Sequence, residues 1–265
     1  MKTFFVDSFT DQKFKGNPAA VCITEQALEI SAMQNIATEI GFSETAFIQH
    51  LSGNRYSIRF FTPKKEIPLC GHATLAASKI IFDSTDLAAI TFQNIEQVEL
   101  PIEKAGDAIV MQFPVYDTVE TDVPQAMLAA LGINKVLNTR YSPKNKIILI
   151  EIESADELTG LQPDFAALLQ SYNGINGVLV TAASNSAGFD FHYRYFWPWA
   201  GTNEDPVTGG VQTFLTKYWA TRLGKTSLKA FQCSARTGRM NTELKGKKVL
   251  IYGEAVTVLE GELRN

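Results

Sequence analysis

The chain carries one passage twice, half its own length apart. Arg59-Phe60-Phe61-Thr62-Pro63 leads through a polar loop and Ile67-Pro68 to Gly71 and an apolar run over 72–82. Arg194-Tyr195-Phe196-Trp197-Pro198 leads through a second polar loop and Asp205-Pro206 to Gly209-Gly210 and an apolar-rich run over 211–223. The flanks repeat as well. Helix 31–40, Gly41 and strand 45–50 precede the first copy; helix 164–171, Gly174 and strand 177–181 precede the second. An offset of about 135 residues means a duplicated half-molecule and not a solenoid. Two related halves facing each other across a pseudo-twofold axis would bring both glycine-headed helices to one cleft.

Each copy ends in the same physical device. A glycine at the mouth of a helix leaves backbone N–H groups open and lets a ligand approach the main chain. Those N–H groups and the helix dipole favour an anion. The run 72–82 is apolar nearly all round, so the helix it forms is expected to be buried on most sides. An ordinary loop-to-helix junction is the plain reading of either copy alone; the duplication is what singles them out.

The remaining pattern describes two α+β halves, each a mostly antiparallel sheet curled around a central helix. In the first half, strands are expected at 2–6, 19–23, 45–50, 56–61, 89–93, 98–101 and 108–113. Gly53-Asn54 turns a hairpin, and Ser31-Ala32-Met33-Gln34 has the form of a capping box. The boundary falls near 114–123, giving halves 1–116 and 117–265, with the last few residues of the chain able to return to the first. Asp122 and Pro124 read as N-cap and first residue of a helix over 125–131. Strands follow at 146–152, 178–181, 190–196, 227–233, 247–252 and 255–259.

Composition narrows the function. A net charge of −4 and a pI near 5.5, with no long basic run, give no footing for nucleic acid. No stretch is long and apolar enough to span a membrane, and the charged, uncleavable start 1–7 is no signal peptide. A cytoplasmic protein is the expectation. Cys22, Cys70 and Cys233 are odd in number and far apart, against a disulfide framework or a CxxC metal site. His50, His72 and His192 are equally scattered, so no metal is expected. No phosphate loop, dinucleotide fingerprint or nucleophile elbow is present, so no organic cofactor is expected either.

What the expected cleft would hold is proton chemistry. Glu44, Cys70, His72 and Asp205 are groups able to hold or move a proton; Gly71, Gly209 and Gly210 offer backbone N–H groups. That set suits proton abstraction beside a carboxylate or carbonyl, with the helix N-termini stabilising enolate-like charge. Glu44 lies between Phe42 and Phe47 where the chain enters an apolar strand. The second half has Gly177, or a residue next to it, at the matching place. A carboxylate demanded by the fold would recur in both halves, and this one does not.

The motifs Gly16-Asn17-Pro18-Ala19-Ala20-Val21, Ser43-Glu44-Thr45-Ala46-Phe47, Arg59-Phe60-Phe61-Thr62-Pro63, Cys70-Gly71-His72-Ala73-Thr74 and Asn203-Glu204-Asp205-Pro206-Val207-Thr208-Gly209 resemble those of the PhzF-like phenazine-biosynthesis family. Phe231-Gln232-Cys233-Ser234-Ala235-Arg236-Thr237-Gly238-Arg239 is similar to its Gln-x-x-x-Arg-x-Gly segment. The resemblance spans the chain and implies the diaminopimelate epimerase-like fold, cofactor-free isomerisation of a small acid and a homodimer. It places Glu44 on the proton-shuttling glutamate, His72 and Asp205 on substrate-binding and proton-handling positions, and Asn17, Ser43, Cys70, Gly71, Gly209 and Gly210 around the substrate. One departure stands out: Gly210-Val211-Gln212 replaces the family's usual Ser-Ala after Thr208-Gly209, removing a hydroxyl that would touch substrate.

Three readings follow. The favoured one is a cofactor-independent isomerase with Glu44 as a single carboxylate shuttle. The second is an amino-acid epimerase or racemase with Cys70 and Glu44 as opposed bases. The third is a non-catalytic small-acid binder, its second loop crowded by Trp197 and Trp199. For Glu44, apolar neighbours and an approaching Asp205 would both raise the carboxyl pKa.

Overall fold

The apolar run Phe4-Phe5-Val6 within Lys2–Ser8 (β1) and the near-continuous apolar character of Asn17–Ile23 (β2) set the start of the first sheet. The structure, a computed structural model, describes residues 1–264. The chain continues through α1 (Ile30–Ile40), β3 (Thr45–Ser52), β4 (Arg55–Phe61), the short β5 (Glu66–Ile67), α2 (Gly71–Ser84), β6 (Ala89–Gln93), β7 (Glu99–Ala105) and β8 (Ala108–Pro114). Strand β2 pairs antiparallel with β1 and parallel with β3, and β3 pairs antiparallel with β4. Strand β4 then pairs parallel with β6, and β6, β7 and β8 form an antiparallel meander. A parallel neighbour needs a crossover that covers a sheet face, which is why β2 is buried along nearly its whole length.

The next stretch repeats the plan. It runs through β9 (Val119–Glu120), α3 (Gln125–Leu131), β10 (Asn138–Ser142), β11 (Ile147–Glu151), α4 (Ala155–Gly160), α5 (Phe165–Ser171), β12 (Gly177–Ala183) and β13 (Phe191–Trp197). A single 3₁₀ turn, β14 (Thr202–Glu204), α6 (Gln212–Leu223), β15 (Ser227–Gln232) and β16 (Gly238–Lys245) complete it. Strand β11 pairs antiparallel with β10 and parallel with β12; β12 pairs antiparallel with β13, β13 parallel with β15, and β15 antiparallel with β16. Strands β1, β2, β3, β4, β6 and β7 thus have the pairing sequence of β10, β11, β12, β13, β15 and β16. Last come β17 (Lys248–Gly253) and β18 (Ala255–Glu262), and β18 closes antiparallel on β1.

Two units result: Met1–Phe113 with the chain from Leu250 onward, and Pro114–Val249. In the first, the sheet wraps α2, which packs on β1, β2, β3 and β18. Leu75, Ala76 and Ala77 of α2 are wholly buried. In the second, α6 packs on β15 and β16, with Phe214, Leu215 and Trp219 buried. Among the described residues no helix is long and apolar enough to cross a membrane.

Two local expectations are corrected. The capping box at Ser31 does not form: Glu29 is the N-cap of α1, with no side-chain cap bond. Because the helix begins at Ile30, Ser31 lies inside the first turn, and Gln34 Nε2 donates instead to the Thr62 carbonyl at 2.9 Å. Asp122 is not the cap of α3; Pro124 holds that position, and its carbonyl accepts from the Met127 amide at 2.9 Å. Sequence patterning gave no warning of β10, β16 and α4, nor of the short β5, β9 and β14. Helix α4 is capped by Ser154, whose Oγ accepts from the amides of Asp156 and Glu157 at 3.1 and 3.3 Å.

Candidate functional site

Strands β1 and β2 end beside the N-terminus of α2, and their last facing pair, Ser8 and Asn17, reaches the same histidine. The Ser8 hydroxyl donates to the His72 carbonyl at 2.7 Å, and the Asn17 amide nitrogen lies 3.2 Å from His72 Nδ1. Both polar side chains are fully buried. Gly16 is what lets the strands come this close. Its φ is +67°, and a Cβ there would lie 2.1 Å from the Ser8 carbonyl oxygen and 2.7 Å from Thr10 Cγ2. Only glycine tolerates both the angle and the approach. The Gly-Asn-Pro motif is therefore more than turn chemistry.

Glu44 enters from the chain preceding β3. Its backbone carbonyl accepts from the Ala20 amide at 3.2 Å, an extension of the β2–β3 ladder. Phe42 packs on Phe5 and Phe47 on Phe61, with ring centroids 4.8 and 5.6 Å apart. Between those aromatic contacts, Glu44 Oε2 lies 3.1 Å from His72 Nε2, with the two side chains only 7% and 8% exposed. Cys70, the N-cap of α2, puts its Sγ 3.5 Å from His72 Nδ1, and Ser43 Oγ is 3.5 Å from Nε2. The first intrahelical bond of α2 is Thr74 N–H to the Cys70 carbonyl at 3.0 Å, so the amides of 71–73 lie ahead of the helical ladder. Asn17, Ser43, Glu44, Cys70, Gly71 and His72 are thus one neighbourhood around a single imidazole.

The electrostatics reverse one expectation. Burial alone would raise the Glu44 carboxyl, but the charge and hydrogen bond of His72, with hydrogen bonds from Ser43 and Cys70, outweigh it and hold the pKa below 4.5. Burial likewise works against charge on His72, yet its pKa stands well above 6.5, raised by Cys70 and Glu44. Burial pushes the Cys70 thiol up. The charges of Cys70 and Glu44 both favour the proton on His72, that of Cys70 the more strongly. The resting pair is carboxylate and imidazolium. Along the chain only apolar neighbours of Glu44 and a second carboxylate are legible, not a cation in contact with it. The Asn17 amide presents nitrogen or oxygen to Nδ1 by a half-turn, so it serves either protonation state of the ring.

Asp205, Gly209 and Gly210 belong to the second unit. Asp205 is 8% exposed, and its Oδ2 accepts from the Thr208 hydroxyl. Gln232 fixes the loop from two sides: its Oε1 accepts from the Thr208 amide at 2.8 Å and its Nε2 donates to the Asp205 carbonyl at 2.6 Å. Ser234 Oγ donates to the Pro206 carbonyl at 2.5 Å, and Tyr193 OH to that of Thr208 at 3.2 Å. Gly209 is buried and Gly210 exposed, and α6 begins two residues later at Gln212. Trp199 does not crowd this loop: its indole N–H donates to the Tyr172 carbonyl at 2.9 Å and its ring joins the core of the second unit. Trp197 lies beside Tyr195, ring centroids 5.9 Å apart.

Sequence reasoning missed Ser8, Thr208 and Ser234 as supports. Ser8 lay in no motif; Thr208, Gln232 and Ser234 lay in motifs already singled out, with nothing along the chain to mark them as supports.

Residues 6–261 match the PhzC-PhzF family, described as phenazine biosynthesis-like protein. Phenazine biosynthesis-like domain-containing protein 1 of Mus musculus is 39% identical, with 98% of each chain covered. An uncharacterized isomerase of Halalkalibacterium halodurans is 40% identical over 98% of this chain and 97% of its own. The crystal structure of a PhzF family protein from Enterococcus faecalis superposes with a TM-score of 0.93 at 35% identity, covering 100% of this chain and 99% of the other. A predicted epimerase from Pseudomonas aeruginosa shares the fold at a TM-score of 0.73 and 19% identity. The fold is that of the diaminopimelate epimerase-like proteins, and the chain belongs to the PhzC-PhzF, phenazine biosynthesis-like family.

Proposed function

We propose that the protein is a cofactor-independent isomerase that moves a proton beside the carboxylate or carbonyl of a small organic acid, with Glu44 as the proton carrier. The observation that carries this reading is the buried Glu44–His72 contact at 3.1 Å at the N-terminus of α2. Every group the chemistry asks for is a side chain or backbone amide of this chain. The amides at 71–73 and the positive end of the helix attract the substrate's carboxylate. Glu44, an anion at rest, removes the activated C–H proton. His72 carries positive charge next to it, steadies the enolate-like charge and sets which partner holds the proton. Glu44 then returns the proton to a different carbon. Asp205, Gly209 and Gly210 enter this reading by resemblance alone, as substrate contacts, and so does the homodimer, which light scattering tests.

Distance favours this reading over a two-base epimerase using Cys70 and Glu44. Bases attacking a carbon from opposite faces each stand about 3 Å from it, so they sit roughly 6 Å apart or more. The proton-bearing atoms of Glu44, Cys70 and His72 all lie within 4.8 Å of one another. They work from one side. A single carboxylate that removes and returns a proton on one face needs no more.

The test is deuterium incorporation from D₂O into a panel of small hydroxy, amino and unsaturated carboxylic acids, read by mass spectrometry. Wild-type protein exchanges a C–H position in at least one, and Glu44→Gln lowers that rate by about 100- to 10,000-fold while thermal unfolding stays cooperative. Equal exchange in a folded Gln variant overturns the role of Glu44.

A further inference from the structure

We infer that Asn17 is a positioning residue of the proposed reaction and not a substrate contact: standing behind the His72 ring, it aims Nε2 at Glu44 and partners Nδ1 in either charge state of the ring. The inference deepens the isomerase reading, and its catalytic half rests on that reading.

Exposure separates the groups of the site. Cys70 is 9% exposed, His72 7% and Glu44 5%, and Ser43 is half-buried, whereas Asn17 is 0% exposed. A group that grips a substrate presents some surface before the substrate arrives. Asn17 presents none.

The ring divides its neighbours in two. On the Nε2 side stand Glu44 Oε2 at 3.1 Å and Ser43 Oγ at 3.5 Å. On the Nδ1 side stand the Asn17 amide at 3.2 Å and Cys70 Sγ at 3.5 Å. A thiol is a weak donor and a weak acceptor, whereas an amide is strong in both senses. The grip on His72 also has a second point, since the fully buried Ser8 hydroxyl donates to its backbone carbonyl at 2.7 Å. Ser8 and Asn17 are paired across β1 and β2, so the strand pairing that fixes the main chain of His72 also fixes its ring.

The reaction gives this grip its purpose. When Glu44 removes the proton, the C–H bond breaks, its electron pair stays on the substrate, and the carboxylate becomes a neutral acid. For that interval the ring has lost the charge of its partner at Nε2. The amide at Nδ1 remains: its oxygen accepts from Nδ1–H of the imidazolium, and its NH₂ donates to Nδ1 of the neutral ring. In a buried place the presence of such a partner decides what charge on the ring costs. Of the strands packed on α2, the one entering at Glu44 brings a carboxylate to the ring. Asp7 of β1 accepts from the Phe14 amide at 2.6 Å, Cys22 of β2 lies 3.7 Å from the Thr3 hydroxyl, and His50 of β3 lies 3.0 Å from the Gly53 carbonyl. Lys2 of β1 and Glu260 and Glu262 of β18 are exposed.

The experiment follows the ring by nitrogen NMR of full-length protein labelled with ¹⁵N. The chain has three histidines, so His50→Gln and His192→Gln assign the signals of the third. In the wild type the Asn17 side-chain amide is expected to shift over the same pH range in which the ring loses its proton. Asn17→Asp keeps the shape and sets an anion at Nδ1, so the His72 titration moves up; Asn17→Leu removes the partner, so it moves down. For an acid that the wild type exchanges in D₂O, the alkaline limb of the pH profile follows the ring, up in the Asp variant and down in the Leu variant. In the Leu variant kcat falls by about 10- to 100-fold with KM little changed, part of what a general acid–base group supplies. An Asn17 amide that stays silent through the ring's titration overturns the inference without any variant. So does a His72 titration that neither folded variant moves. A raised KM with kcat and pH profile unchanged makes Asn17 a substrate contact and overturns it as well. If no acid is exchanged while the ring titrations move as expected, the isomerase reading fails and the hold of Asn17 on Nδ1 stands.

Discussion

The two copies of the repeated passage agree in their scaffold and differ in their chemistry. In the first, Arg59 grips Glu66 through Nε and Nη2, both at 2.7 Å, and lies over the Phe61 ring at 5.4 Å. In the second, Arg194 grips Glu204 through the same two nitrogens, both at 2.8 Å, and lies over the Phe196 ring at 4.9 Å. Each fork ties a long strand to the short strand beside it, β4 to β5 and β13 to β14. Beyond the fork the copies part. The first ends in Cys70-Gly71-His72 and a buried ion pair; the second ends in a loop held by Gln232, with Asp205 accepting from Thr208. What recurs is what the fold needs. What stands in one copy only is free to be chemistry.

Glu44 shows the difference at one position. In the parallel pairs, Thr45 faces Ala20 and Gly177 faces Ile147, each at the start of its strand. Asn176 is therefore the counterpart of Glu44. Each joins the neighbouring strand through its backbone, by different groups: the Glu44 carbonyl accepts from the Ala20 amide at 3.2 Å, and the Asn176 amide donates to the Lys146 carbonyl at 2.7 Å. The side chains diverge. Glu44 is buried at 5%, whereas Asn176 is exposed. Gly177, at the place of Thr45, has no room for a side chain: a Cβ would lie 2.6 Å from the Tyr195 ring and 2.7 Å from the Phe196 carbonyl.

The sharpest way to break this comparison is to change both positions. Glu44→Gln is expected to cost about 100- to 10,000-fold in solvent exchange, and Asn176→Gln to leave exchange unchanged. A comparable loss in both would mean that the position matters to the fold and not to the reaction.

The forks give the next largest effect, and an unequal one. Arg194 is 10% exposed and its Nη1 also donates to the Leu161 carbonyl at 2.8 Å, whereas Arg59 is 22% exposed. Arg194→Ala strands a largely buried Glu204 and should cost about 3–5 kcal/mol in urea unfolding. Arg59→Ala, with its partner more open to water, should cost about 1 kcal/mol. Equal losses would show that burial does not separate the two forks.

The Glu44–His72 pair should leave a signature in stability against pH. The folded pKa of Glu44 lies below 4.5, so its contribution is present above that value and is lost as pH falls through the lower folded one. The folded pKa of His72 lies above 6.5, so its contribution is complete below 6.5 and is lost as pH rises through the higher folded value. Both describe one interaction seen from its two ends. Melting temperatures of wild type and His72→Gln should differ most between pH 4.5 and 6.5 and converge on either side. A difference that does not change with pH would mean the pair is not charged.

The smallest effect contrasts helix starts. Asp164 caps α5, its Oδ1 accepting from the Ala167 amide at 3.0 Å, so Asp164→Ala should cost about 1 kcal/mol. Ser31 caps nothing in α1, and Ser31→Ala should change the melting temperature little.

Much of the site was legible in the sequence, residue by residue. Asn17, Ser43, Glu44, Cys70, Gly71 and His72 were each named from motifs, and the structure gathers Asn17, Ser43, Glu44 and Cys70 around the His72 ring, with Gly71 next to it in the chain. The protonation of the site was not legible. Whether a buried carboxyl is raised or lowered depends on a contact of 3.1 Å between residues 28 positions apart, and no pattern along the chain encodes that distance. The supports were invisible for the same reason: Ser8 acts on a carbonyl 64 residues away.

The sequence by itself determined the duplication, the two helices headed by glycine and the α+β pattern of each half, because periodicity and turn chemistry act between near neighbours. It also set Glu44 apart, since no carboxylate stands at the matching place in the second half. Tertiary structure decided that Glu44 meets His72 at 3.1 Å, that Cys70 reaches the same imidazole, and that Gly16 lets Ser8 and Asn17 meet at His72. Each of these depends on burial and on distances of a few ångströms between remote residues, which exist only once the strands have paired.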